Sequence, residues 1–124
     1  MRKVICIEGV PFPGMRTLAM KGSIYLAENI EKIPITQAYN HEKILGYARN
    51  LQRNIETGEV SMDLVIHPSF DVNLDEFTAT VTLTDVMGAM GKDEPDLHII
   101  NAGCLREVAL IWEGPKDDAP VREA

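Results

Sequence analysis

The segment EFTATVTLTDV, Glu76–Val86, constrains the fold more than any other stretch. Phe77, Ala79, Val81 and Leu83 alternate with Thr78, Thr80, Thr82 and Thr84. A strict period of two puts the apolar set on one side of a β-strand and the hydroxyls on the other, whereas a helix would scatter both around its axis. β-branched residues dominate, as a pleated and half-buried surface favours. The reading is a strand with one core face, whose four threonines form a face open to water or to a partner.

The rest of the chain repeats the β signal. RKVICIEGV (Arg2–Val10) is rich in β-branched residues and is stopped by Pro11 and Pro13. ILGYARNLQRN and EVSMDLVIH flank IETG, a short Gly-containing connection that suits a hairpin, with Gly58 supplying a positive φ. Val60, Met62, Leu64 and Ile66 share one face of the second strand. LHIINAG and CLREVALIW supply the last strands, and VALIW is apolar on both faces, as in a central strand. One helix is expected early: Ser23 follows Gly22 as an N-cap, Leu26, Ala27, Ile30 and Ile33 lie on one helical face, and Pro34 ends it. MGAMGKDEPD reads as a flexible loop. The expected architecture is α+β but mainly β: residues 1–113 form a small barrel or half-closed antiparallel sheet with that one helix, and residues 114–124 form a mobile tail.

Charge narrows the partners. Twelve basic residues stand against 19 acidic ones, a formal net charge of −7, with no Lys/Arg cluster. Phosphate backbones and anionic membranes are therefore poor partners. No run of apolar residues is long enough to cross a bilayer as a helix, and the start lacks the pattern of a signal peptide, so the chain is expected to stay where it is made. Cys6 and Cys104 are too few for a disulfide framework and read as buried thiols.

The candidate chemistry rests on few residues. His41, in YNHEKILGYARNL, is either a general base or a polar residue at the mouth of a hairpin. His67 and His98 complete the histidines, and no H-x-H, H-x₃-H or H-E-x-x-H spacing suggests a metal. No cofactor is expected. No G-x-S-x-G elbow is present; Ser23 suits a cap, Ser61 the polar face of its strand and Ser69 a turn.

The order of features in KGSIYLAENIEKIPITQAYNHEKILGYARNLQRNIETGEVSMDLVI resembles the prohead (capsid maturation) proteases of tailed phages. That family has a Gly-led helix, an extended segment into NH, a Gly-containing strand, a tight turn and a second strand. The end is also similar: LREVALIWEGPKDDAP stands where the family tends to carry L-x-E-V-S-L-V and a Pro-Ala segment. The resemblance implies that His41 matches the catalytic histidine. The family's nucleophilic serine, in a Ser-Ile-Gly-Phe-like context, has no counterpart in EFTATVTLTDVMGAM, and Ala109 stands where a serine is common. A hydroxyl nucleophile would have to be a threonine such as Thr80 or Thr82, or Cys104 would have to substitute. The resemblance without its serine implies a non-catalytic head protein of the decoration or cement type, with His41 vestigial. Such a protein would bind the major capsid protein or another head protein in multiple copies, on the outer capsid surface. An active protease with His41 as general base, or an unrelated β binding module, are the alternatives.

Overall fold

The structure is a computed structural model that describes residues 1–12, 15–90, 96–112 and 121–123. Among the described residues ten strands follow in chain order: β1 (Arg2–Ile7), β2 (Thr17–Ala19), β3 (Ile24–Tyr25), β4 (Lys32–Gln37), β5 (Asn40–Arg53), β6 (Glu59–Ile66), β7 (Phe70–Val72), β8 (Phe77–Met90), β9 (His98–Trp112) and β10 (Val121–Glu123). A single turn of 3-10 helix, Leu74–Glu76, leads into β8. The domain is mainly β, an open and strongly curled half-barrel.

The two long hairpins build most of the wall. β4 turns into β5 through Ala38 and Tyr39, whose φ angles of 49° and 65° give a two-residue loop of the primed kind that suits strand twist. β5 pairs antiparallel with β6, as the IETG connection implies, and Gly58 has φ 80°. The Asn54 side-chain oxygen accepts the amides of Glu56 and Thr57, so the turn satisfies its own backbone. β1 closes onto β6, and β8 lies antiparallel along nearly all of β9.

β9 is the spine. On one side it carries β8; on the other, β2, β3 and β4 dock successively and in parallel at Ile99, Gly103 and Ala109. The sheet is therefore mixed rather than wholly antiparallel. Val108, Ala109 and Leu110 are completely buried, which accounts for a stretch apolar on both faces. Ile5, Ile24, Ile35, Leu45, Val60, Met62 and Leu64 complete the centre of the core. On β8 the register is the expected one: Phe77, Ala79, Val81 and Leu83 belong to the core side.

The early helix is not formed. Ile24 instead pairs with Gly103 of β9, and the amides of Gly22 and Ile24 donate to the carboxylate of Glu8 at 3.0 Å each. Those long-range bonds replace the local ones a helix would have made. Ser23 is buried and caps nothing; its hydroxyl has no hydrogen-bond partner among the described residues. The expected loop after Val86 is strand as far as Met90, and residues 91–95 lie outside the described ones. The expected tail falls largely outside them too; of it, Val121–Glu123 pair with β7.

Candidate functional site

His41 lies one residue into β5, just past the Ala38–Tyr39 turn, with most of its side chain in solvent. Its Nε2 stands 3.0 Å from Oε1 and 3.2 Å from Oε2 of Glu107, a carboxylate on β9 that is almost fully buried. Two hydroxyls reach the same carboxylate from the flanking strands. Thr82, directly opposite Glu107 in the β8–β9 ladder, donates to Oε1 at 2.6 Å, and Thr36 of β4 donates to Oε2 at 2.9 Å. Register irregularities beside Thr36 in β4–β5 and after Thr82 in β8–β9 accompany this convergence.

A buried carboxylate requires such donors, because removing it from water without partners would cost several kcal/mol. Burial pushes the Glu107 carboxyl upward, but the bonds from His41, Thr82 and Thr36 and the nearby imidazole outweigh it, so the group lies below the ordinary value. An ionised carboxylate only accepts, so Nε2 of His41 is the donor. The order of contacts is thus hydroxyl, carboxylate, imidazole. In a nucleophilic triad the imidazole stands between the other two, where it removes the hydroxyl proton. Here the base facing Thr82 is a carboxylate whose proton affinity is lowered, a poor activator of an alcohol.

The four threonines of β8 are not one uniform wet face. Thr78 and Thr84 are exposed, with Thr84 accepting from Nε of Arg106 at 2.7 Å. Thr80 is half-buried beside the Tyr39 hydroxyl, 3.4 Å away, and Thr82 is committed to Glu107. Residue-type searching found His41 and Thr82 but missed Glu107 and Thr36. The available signal was the acid in LREVALIW, which directly precedes the apolar run VALIW.

A second buried carboxylate, Glu8, is held by an arginine and two backbone amides. Arg53 engages both of its oxygens, Nε at 2.5 Å from Oε1 and a terminal nitrogen at 3.1 Å from Oε2, and also donates to the Ile24 carbonyl. With the Gly22 and Ile24 amides added, this pair ties the end of β1 and the end of β5 to β3. Burial, followed by the charge of Glu8, pushes the neighbouring Cys6 thiol up to about 12, which disfavours its thiolate. Cys104 is buried and free. His67 accepts from the Ser69 amide at 3.1 Å within a turn, and His98 begins β9. Among the described residues no three potential ligands cluster to hold a metal. Comparison with protein-family models, with curated proteins and with solved structures gives no match.

Proposed function

We propose that this chain is a non-catalytic head protein of a tailed phage, which uses a β fold of the prohead-protease kind to bind the capsid shell. The observation that carries the non-catalytic part is the contact order at Glu107: Thr82 gives its proton to the carboxylate, not to His41. The phage-head setting rests on the likeness of motif order, of which the NH at Asn40–His41 and the L-x-E-V at Leu105–Val108 supply the two halves of this cluster. The expected Gly-led helix of that likeness is absent, replaced by β3 and the turn that follows. In this reading His41 and Glu107 hold the β4–β5 hairpin against β8 and β9.

Attachment would use the exposed part of the threonine face, Thr78 and Thr84, together with Tyr39. The partner is the major capsid protein or another head protein, met on the outside of the shell, where a chain of charge −7 avoids packaged DNA. One observation favours a second reading, a maturation protease with Thr82 as nucleophile: Thr82 and His41 both contact Oε1 of Glu107, which places hydroxyl and imidazole in one cluster.

Purified chain incubated with assembled capsids separates the readings. Stoichiometric co-sedimentation, unchanged by His41→Ala and without cleavage of capsid protein, supports the structural role. Cleavage that disappears in both His41→Ala and Thr82→Val establishes the protease instead. Failure to bind or cleave defeats both, leaving a binding module of another kind.

A further inference from the structure

The two ends of the curled sheet are built differently. β1 has Arg2 and Lys3 at its start and a bulge between Val4 and Cys6, devices that discourage pairing with another chain. β8 has neither over its first half: from Phe77 to Thr82 there is no charge and no proline, and its register on β9 is unbroken. Among the described residues its hydrogen-bonded neighbour is β9 alone; β1 comes near it without forming a ladder.

The core is also unfinished along this edge. Ala79, Val81 and Leu83 point to the core side yet remain half-exposed, while Ile35, Leu45, Met62 and Val108 are covered completely or nearly so. An additional strand beside β8 would cover them and satisfy its outward backbone groups.

We infer that β8 pairs antiparallel with β8 of a second copy, about a two-fold axis at Thr80. The segment is self-complementary. With Thr80 opposite Thr80, Thr78 meets Thr82 and Ala79 meets Val81, so hydroxyls face hydroxyls and apolar groups face apolar groups. A chain this acidic repels its own copies over most of its surface, and Phe77–Leu83 is a stretch where two copies bring no charge together. The contact is small, so the dimer is a weak one that forms with rising concentration. This inference concerns the edge of β8 and stands apart from the capsid reading, which concerns its threonine face.

Sedimentation of the full chain over a dilution series tests it, with thermal melts confirming that each variant is folded. The wild type should convert from monomer to dimer, and Thr80→Lys, which sets two like charges opposite each other, should weaken dimerisation roughly tenfold or more. Thr80→Cys should oxidise readily to a covalent dimer, whereas Lys3→Cys on the guarded edge should not. A wild type that stays monomeric, a dimer indifferent to Thr80→Lys, or equal cross-linking from both edges would overturn the proposal.

Discussion

The carbonyl oxygen of Glu8 occupies the space where Gly58 would carry a side chain, so that a Cβ there would overlap it. The Glu8 amide in turn donates to the Gly58 carbonyl at 2.7 Å, and the tip of the β5–β6 hairpin is thereby clamped to the end of β1. Gly22 offers a natural comparison, with a similar φ of 84° but nothing within 4 Å of its missing Cβ. Gly22→Ala should therefore cost about 1 kcal/mol for backbone conformation alone. Gly58→Ala should cost about 2–4 kcal/mol, because the clamp must also open. Urea unfolding of the two variants checks this, and equal losses would mean that the clamp adds nothing.

Glu8 and Arg53 should be far more sensitive to truncation than surface pairs such as Arg16–Asp96. Arg53→Met leaves Glu8 buried with only the two amide donors, for an expected loss of about 3 kcal/mol or more. Arg16→Met, at a pair more than half exposed on both sides, should change stability by less than about 1 kcal/mol. Urea midpoints of the two variants against the wild type measure the contrast.

Acid should unfold the domain through both buried carboxylates. Glu8 and Glu107 have folded-state pKa values lowered from the ordinary 4.5, so the stability they contribute is fully present above that value. It is lost as pH falls from there through the lower folded-state values. Chemical denaturation should therefore give a flat profile above about pH 5 and a decline below it. The decline should be shallower in Glu107→Gln, at the cost of lower stability near neutrality.

Core truncation should follow burial rather than residue type. Leu110, completely covered on β9, should lose roughly 2–5 kcal/mol on replacement by Ala. Leu83→Ala, half-exposed on the open edge, should lose clearly less in the monomer. Unfolding midpoints at low protein concentration make the comparison.

Much of this fold is written locally. Strict alternation sets the register of β8, the Gly58 turn sets the β5–β6 hairpin, and a doubly apolar run places β9 in the middle of the sheet. The early helix fails because the helical spacing of Leu26, Ala27, Ile30 and Ile33 does not correspond to a shared buried face: Ile33 is buried in β4 while Ile30 is exposed, a difference that only remote partners decide. Pro34 misleads for the same reason. It sits in β4 at a point that pairs with β5 but precedes the contact with β9, so its missing donor is harmless there. The carboxylate of the candidate site is hidden by distance: Thr36, His41 and Thr82 all precede Glu107 by at least 25 residues, and nothing near Glu107 in sequence announces them.

The place of β9 in the sheet also carries a meaning for synthesis. The strand that receives β2, β3, β4 and β8 begins only at His98, so most of the sheet must wait for it. The β5–β6 hairpin with β1 is able to form as soon as Ile66 is made. β8 and the parallel strands, in contrast, lack their ladder on β9 until His98–Trp112 has been made. During that interval β8 is an apolar-faced strand without its ladder, and β2 and β3 are short strands without theirs.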